Sequence, residues 1–182
     1  MKRTKHIPSG AILTNDPSMT AWGYAVLNWN SEILTTGCIK TEPSQKKLRI
    51  RKGDSTVRRI SEINQILLTT IREYNVEYIL SELPHGSQNA SAAVMIGAVA
   101  GIIQTISDIL DIGLEWYLEK DSKNCLFNRQ SVTKQEMINR INALYTVPWT
   151  GVKYKDEAVA DALAIHFTAM RMSSTLKLLK SR

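Results

Sequence analysis

Three acidic residues stand at places in the sequence from which their carboxylates could act together. Asp16 ends a short apolar run, Glu82 ends a later β-rich run, and Asp161 belongs to the last helical pattern. Neighbouring strands of a sheet lie only about 5 Å apart, so carboxylates at strand ends can converge. A set of oxygen ligands suits Mg²⁺ or Mn²⁺, hard ions that bind through a few carboxylates together with the phosphates of a substrate.

Each of these acids also has a purely structural interpretation. An Asp before a Pro commonly belongs to a turn, and a Glu at the end of a strand commonly just meets water. An acid early in a helix often only interacts favourably with the helix dipole. Taken singly, none of the three acids indicates chemistry, so the case depends on the sequence around them.

The segments around these acids alternate between strand and helix patterns. Residues 10–15, 20–29 and 32–41 are β-rich and separated by short turns, which predicts an antiparallel meander. A polar segment then runs into a helix with Asp54 or Ser55 as its N-cap. The remaining elements are a strand at 76–82, a long apolar helix, a strand at 114–119, a polar loop carrying Lys123, a helix opened by Ser131, and a last helix over 156–172. This order predicts an α/β fold, a mixed five-stranded sheet flanked by helices.

Length, charge and cysteine use are those expected of a soluble domain. The chain has 182 residues, which suits one domain with a core over about 10–172 and basic tails at both ends. Its formal net charge of +6 favours a polyanionic partner such as nucleic acid, although charge says nothing about fold. Cys38 and Cys125 lie far apart without metal-ligand spacing, and no apolar signal segment follows the basic start. We therefore expect free thiols and a cytoplasmic protein.

The region between Glu82 and Asp108 contains no charged residue, which leaves a transmembrane helix open as an alternative. Against it, the segment is rich in Ala, Gly and Ser and carries Gln104 and Thr105. A buried core helix or a dimer-interface helix explains this composition better. We expect its small residues to be buried either against the sheet or in an interface across a two-fold axis, and we favour a contribution to both. These residues are Ala93, Gly97, Ala100 and Gly101.

Four segments together resemble the motifs of the RuvC-type Holliday junction resolvases, in the same order. "DPSMTAWGYAV" resembles the first motif, in which Gly23 allows close approach of the backbone, and "YILSELPHGSQNASAAVMIGAVAGI" resembles the second. "SVTKQEMINRI" is similar to the lysine-bearing helix of the family, and "DEAVADALAIH" to its final motif. The "CIKT" segment after the third strand also has a close equivalent in the family. The resemblance extends from about Ile12 to Phe167, nearly the whole chain.

This resemblance implies a ribonuclease H-like fold and a homodimer that cuts branched DNA at four-way junctions. It places the protein in the cytoplasm, of a bacterial cell or of the host if it is encoded by a phage. We expect Asp16 to bridge two Mg²⁺ ions, for which Mn²⁺ can substitute, while Glu82 and Asp161 hold one ion each. Lys134 is expected to donate to the phosphoryl oxygens as negative charge develops there, and Lys123 is a weaker candidate for the same role.

The basic segment before the first helix is a candidate for DNA binding. The resemblance leads us to expect that this segment contacts the phosphates of the DNA backbone. His85 and Asn89, from the second motif, are further candidates for DNA binding. Without the motifs, a run of charges would simply indicate solvated surface. The basic candidates are Lys46, Lys47, Arg49, Arg51, Lys52, Arg58 and Arg59.

The sequence departs from the family at three places. Ala158 stands where many members have an acid or a His, His85 stands where an aromatic residue is usual, and the 42–51 loop is long. The fourth carboxylate must therefore come from elsewhere or be absent. We expect Glu157, which lies four residues and about 40° from Asp161 around a helix, with Asp156 as the N-cap instead.

Two other functions share this sequence pattern. One is a member of the same fold superfamily that binds nucleic acid without cutting it. The other is a nuclease with the same core that acts on flaps, replication forks or RNA-containing duplexes. The acids would be identical in both nucleases, so only a cleavage assay separates them.

Overall fold

The computed structural model describes residues 10–181, and the expected basic tail at residues 1–9 lies outside the described residues, as does residue 182. The strands in this part of the chain are β1 (Ala11–Asp16), β2 (Ala21–Asn28), β3 (Ile33–Lys40), β4 (Val76–Glu82) and β5 (Gly113–Tyr117). The helices are α1 (Lys52–Glu73), α2 (Ala90–Leu110), α3 (Glu119–Phe127), α4 (Lys134–Asn142), α5 (Lys153–Met172) and α6 (Ser174–Ser181).

The strands form one mixed sheet in the order β3-β2-β1-β4-β5. β1, β2 and β3 pair antiparallel as a meander, whereas β4 and β5 continue the sheet parallel to β1. The carboxyl ends of β1, β3, β4 and β5 therefore lie at the same edge. The mixed five-stranded sheet predicted from the sequence is confirmed.

Alternation along the strands divides the core into two layers, because successive side chains point to opposite faces. Leu13 and Trp22 belong to an apolar cluster with residues of α1 and α2. Ile12, together with Ala25 and Leu27 of β2, belongs to clusters that include residues of α5. Asp16 and Glu82 have the parity of the α5 face, so the sheet itself directs both carboxylates toward that helix.

By length and composition alone, α2 could cross a membrane, since its mean hydropathy reaches 1.8 over 18 residues. In the fold it packs Val99, Ile103 and Ile106 into the core beside α1, and 28% of that 18-residue stretch is buried. Its opposite side is exposed, including Ala93, Gly97 and Gly101, and Ala100 is half-buried. The small-residue face is therefore not packed on the sheet, contrary to the part of our expectation that placed it there.

Several helix boundaries differ from those predicted. α1 begins at Lys52, so Asp54 lies within its first turn and neither Asp54 nor Ser55 is the N-cap. The expected polar loop around Lys123 is helix α3, and the basic C-terminal tail forms α6. These differences arise because short helices are stabilised by contacts with the rest of the fold more than by their own propensity.

Two capping assignments were also wrong. α4 is capped by Thr133, not opened by Ser131: the Thr133 hydroxyl accepts from the Glu136 amide while the Glu136 carboxylate accepts from the Thr133 amide. α5 begins at Lys153, which places Asp156 inside the first turn. The Asp156 carboxylate accepts from the amides of Thr150 and Gly151, so it stabilises the preceding loop.

Candidate active site

The three acids singled out from the sequence line one small cleft of about 80 Å³. Asp16 ends β1 and Glu82 ends the neighbouring parallel strand β4, one residue beyond the pairing of Asn15 with Ser81. Asp161 lies near the middle of α5, about one helical turn beyond Glu157. The fold therefore brings these three side chains, two from strand ends and one from a helix, to one cleft.

The position of Asp161 depends on close packing of α5 against the sheet. A Cβ added at Gly23 would collide with the backbone carbonyl of Ala158, so only glycine fits there. The Thr14 hydroxyl donates to the carbonyl oxygen of Ala162 at 2.6 Å, which fixes α5 against β1. Because Gly23 pairs with Asp16 across the strands, α5 approaches the sheet directly beside the β1 carboxylate.

Lys134 supplies the only cation that contacts one of these three acids in the described part of the chain. Its Nζ lies 2.5 Å from Oδ2 of Asp161. Burial disfavours the charged form of Lys134, but Asp161 outweighs this, so the pKa of Lys134 lies above its ordinary value. The capped first turn of α4 places this lysine at the cleft.

The carboxylates are not fully compensated by that single lysine. Burial, and then the charge of Asp161, raises the pKa of Asp16 to about 7. Burial, and then the charges of Asp16 and Asp161, raises the pKa of Glu82 to about 8. Burial also raises the pKa of Asp161 despite Lys134. Such an excess of desolvated negative charge is stabilised by a bound cation.

Glu119 is a residue of the cleft that the sequence analysis missed. It begins α3 and lines the cleft, and its carboxylate lies 2.5 Å from Nζ of Lys123 and 3.4 Å from Nε2 of His85. The hydrogen bond from Lys123 is the main cause that lowers the pKa of Glu119. The "LEWYLE" pattern predicts a strand that extends to Glu119. The available signal for a helix start was the pair of acids Glu119 and Asp121, because acids are common in the first turn of a helix.

Lys123 and Glu157 occupy different positions relative to the cleft. Lys123 lines it, although its Nζ is engaged by Glu119. Glu157 is outside the residues that line the cleft and lies 4.0 Å from Lys153, with 22% of its side chain exposed. Its charge nevertheless contributes to the raised pKa of Asp161.

The candidate DNA residues lie in two regions. The 47–52 segment is exposed, with Arg51 paired to Asp54 at 2.7 Å, and the side chain of Lys46 is outside the described residues. Arg58 is partly exposed and donates to Glu62 and to the carbonyl oxygen of Glu42. His85 and Asn89 lie on the exposed segment between β4 and α2, where the Asn89 side chain caps α2.

Arg59 is placed differently from our expectation. It is buried, and its guanidinium donates to Thr41 Oγ1 at 2.8 Å and to the carbonyl oxygen of Met19 at 2.7 Å. These bonds tie α1 to the β1–β2 turn and to the end of β3. The structure therefore directs Arg59 into the protein, and we leave it out of the DNA surface.

The donor set fits a hard divalent ion. The cleft contains carboxylate oxygens and no cysteine or histidine among its described lining residues, which favours Mg²⁺ or Mn²⁺. In the part of the chain that the structure describes, no three acidic, Cys or His groups are already gathered around one point. The ammonium group of Lys134 instead lies on Oδ2 of Asp161 and so occupies one of the two oxygens with which Asp161 could hold an ion.

The family model of crossover junction endodeoxyribonuclease RuvC matches residues 12–169. A curated relative with this name from Chlorobium phaeobacteroides is 26% identical over 157 residues, which cover 85% of this chain and 78% of the relative. One from Rickettsia bellii is 26% identical over 163 residues, which cover 87% of this chain and 96% of the relative.

Solved structures show the same fold. Thermus thermophilus RuvC in complex with a Holliday junction substrate has a TM-score of 0.68 at 18% identity, covering 88% of this chain and 93% of that chain. The yeast mitochondrial Holliday junction resolvase has a TM-score of 0.62 at 13% identity, covering 95% of this chain and 82% of that chain. The ribonuclease H-like fold is thus confirmed. Because the family match covers most of the sequence, this protein belongs to the RuvC family of crossover junction endodeoxyribonucleases.

Proposed function

We propose that this chain, acting as one nuclease domain, resolves four-way DNA junctions by metal-dependent hydrolysis of phosphodiester bonds. The observation that carries the proposal is the convergence of Asp16, Glu82 and Asp161 in one cleft with Lys134. The relative from Thermus thermophilus was solved with a Holliday junction substrate, which supports the choice of DNA.

Membership of the family implies a divalent metal ion, and we propose two Mg²⁺ ions per active site. Asp16 would contribute to both, Glu82 and Asp161 to one each, and Glu157 is the proposed fourth carboxylate. When bound, the ions lower the pKa of the attacking water and stabilise the leaving 3′ oxygen.

Lys134 is proposed to change partner during the reaction. In the structure its ammonium group neutralises part of the charge of Asp161. Once that charge is compensated otherwise, the ammonium group is free to donate to a phosphoryl oxygen of the substrate, where negative charge develops. Lys123 is held by Glu119 beside the same cleft, so we assign it the weaker contribution that the sequence suggested.

We further propose that the protein is a homodimer that pairs through the exposed face of α2. Val94 is 64% exposed and Ile109 is 76% exposed, which is unusual for large apolar residues in a helix of this hydropathy. A Cβ built at Gly97 or Gly101 meets nothing within 4 Å, so another helix has room to approach. A two-fold assembly also suits paired cuts across a two-fold junction.

Sedimentation at micromolar concentration tests the dimer. We expect a dimer for the unmodified protein and a shift toward monomer for Ile109→Asp, because a charge in an apolar interface is unfavourable. Met172→Asp is the matched control, since Met172 is also exposed but lies at the end of α5. A strict monomer, even with a junction bound, would contradict this assembly.

The cleavage proposal is tested with purified protein and Mg²⁺ on four-way junction, fork, flap and linear duplex DNA. We expect cuts on the four-way junction and none with Asp16→Asn, which still binds the junction within a few-fold because affinity comes mostly from phosphate contacts. Asp111→Asn is the control, because Asp111 adopts a left-handed conformation that Asn also favours. If the protein cut a flap or a fork in preference to the junction, that DNA would be its substrate instead of the four-way junction. If it cut none of these DNAs, the remaining interpretation would be a family member that binds nucleic acid without cutting it.

A further inference from the structure

The edge of the sheet that carries the acids continues beyond them onto β3. Asp16 pairs with Gly23, and Gly23 pairs with Cys38, so the three residues form one row across β1, β2 and β3. Paired residues point to the same face, and Lys40, two residues beyond Cys38, shares it. Two strand spacings place this part of β3 roughly 10 Å from Asp16, on the α5 side of the sheet.

The first turn of α5 packs beside this row. Nζ of Lys40 lies 5.4 Å from the centroid of the Tyr154 ring, within the range of a cation–π contact. Lys155 follows Tyr154 in the first turn of α5. Burial raises the pKa of the Cys38 thiol on the same row, and the positive charge of Lys155 acts against that rise. Lys40, Tyr154 and Lys155 therefore form one surface, which we call the β3-side surface.

The charges on this surface are poorly neutralised by the protein. Lys155 is half-buried and has no carboxylate within 4 Å among residues 10–181, in contrast to Lys123 and Lys134 in the cleft. Lys40 pairs with Glu42 at 2.7 Å, but 47% and 69% of the two side chains are exposed. Exposed pairs of this kind are weak and screened by salt, so Lys40 can exchange Glu42 for another anion.

We propose that the β3-side surface binds the phosphate backbone of the DNA strand that is cut, within about three nucleotides of the scissile bond. This inference rests on the proposed function. The acidic cleft repels a polyanion, so cations directly beside it are needed to hold the strand in register. Phosphate fits this surface because it presents two separate cations, and the exposed Tyr154 ring offers a face on which a nucleobase can stack.

The surface differs from the DNA contacts expected in the 46–52 segment and near His85, because it joins the end of β3 to the start of α5 and adjoins the acids through Gly23. Of the expected contacts, Arg58 borders it, since Arg58 donates to the carbonyl oxygen of Glu42, the partner of Lys40. Sequence alone separates Lys40 from Lys155 by more than a hundred residues.

The first test counts phosphate contacts from the salt dependence of junction binding, with a chelator present so that the DNA is not cut. Each lost contact makes the slope of log K against log salt shallower by about 0.9 for duplex DNA or 0.7 for a single strand. We expect the double variant Lys40→Ala/Lys155→Ala to have a slope shallower by about 1.4 to 1.8. Lys177→Ala, on α6 beyond the far end of α5, should leave the slope unchanged.

The second test locates the contact. Neutral methylphosphonate groups replace the phosphates of the cleaved strand one at a time, and the affinity of each junction is measured with both proteins. We expect one or two positions within about three nucleotides of the cut to weaken binding by the unmodified protein and to have little further effect on the double variant, because the two losses are coupled. Tyr154→Phe should retain affinity and Tyr154→Ala should lose part of it.

The outcomes separate this inference from the proposed function. If the unmodified protein neither binds nor cuts the junction, both fail. If it binds with a steep salt dependence and the double variant shows the same slope, or if the methylphosphonate effects simply add to those of the substitutions, only the β3-side surface is overturned.

Discussion

Two glutamates on neighbouring parallel strands, both facing α5, differ in how the protein treats their charge. The carboxylate of Glu115 on β5 accepts hydrogen bonds from the hydroxyls of Tyr78 at 3.0 Å, of Ser173 at 2.7 Å and of Tyr117. Burial alone would raise the pKa of Glu115, but these bonds outweigh it and the pKa lies below its ordinary value. Glu82 is instead near Asp16 and Asp161, and its pKa is raised to about 8.

This difference indicates that Glu115 has a structural role and that Glu82 is available to bind a ligand. The protein itself compensates the charge of Glu115 with hydrogen bonds, and these bonds join β4, β5 and the Ser173 cap of α6. The Glu82 carboxylate accepts no hydrogen bond from the described residues, so its ionised form is disfavoured until a cation compensates the charge. Carboxylates of one type on one face of one sheet can therefore be distinguished by their hydrogen-bond donors.

The largest expected effect distinguishes the two glutamates by activity. Glu82→Gln should lower junction cleavage on the order of 10³-fold or more, because it removes a proposed metal ligand. Glu115→Gln should leave the cleavage rate within a few-fold while lowering the free energy of unfolding by on the order of 2 kcal/mol, the scale of hydrogen bonds to a charged group. Single-turnover cleavage and urea unfolding of both variants measure this. Equal loss of activity in both would mean that Glu115 supports the site.

The second prediction compares how the two glutamates affect the pH dependence of folding stability, with a chelator present to keep the site free of metal. The folded state keeps a proton on Glu82 that the unfolded chain releases near pH 4.5, so this group makes stability fall as the pH rises from about 4.5 to about 8. For Glu115 the sign is opposite, because its pKa is lowered: its stabilisation is present above pH 4.5 and is lost as the pH falls through the folded-state pKa.

Thermal unfolding measured from pH 8 down to below the folded-state pKa of Glu115 checks both signs. Glu82→Gln should be more stable than the unmodified protein at pH 8 and nearly equal to it at pH 4, while Glu115→Gln should be less stable at pH 8. Adding Mg²⁺ should stabilise the unmodified protein at pH 8 by about 2.7 kcal/mol at a hundred times its Kd, and Glu82→Gln by much less. A stability of Glu82→Gln that is lower at every pH would contradict the assignment.

The smallest expected effect concerns the fourth carboxylate. Glu157 lies one helical turn before Asp161 but outside the lining of the cleft, so we expect Glu157→Gln to weaken Mg²⁺ activation of turnover. Asp156→Asn should retain most turnover, because Asp156 is directed at Thr150 and Gly151, and should instead lower the melting temperature. Mg²⁺ titrations of cleavage by the two variants decide; the reverse order would show that Asp156 is the ligand.

The parts of the site on strand ends were predictable from the sequence, because sheet geometry brings such residues together whatever the details of the helices. Asp16 and Glu82 needed only the recognition of two strands and their parallel pairing. Lys134 and Asp161 depended on the motifs. The convergence did not depend on knowing where α4 and α5 begin.

The sequence-based predictions that were wrong concern features that depend on tertiary contacts. Arg59 belongs to a run of charges that looks solvated, yet the carbonyl of Met19 and the hydroxyl of Thr41 lie where its guanidinium can be satisfied inside the protein. Ser131 and Asp156 have the chemistry of N-caps, but Thr133 and Val152 hold those positions. Glu119 was hidden because a strand pattern and a helix start adjoin without a turn signal between them.

The contact between Gly23 and Ala158 has a consequence for how this sequence can evolve. The two positions are 135 residues apart in the chain, yet the side chain of Ala158 faces the place where residue 23 would have a Cβ, and Ala158 is buried. Replacing Gly23 by any other residue would push α5 outward and carry Asp161 with it, so the sequence can change at position 23 only if the cleft is rebuilt at the same time.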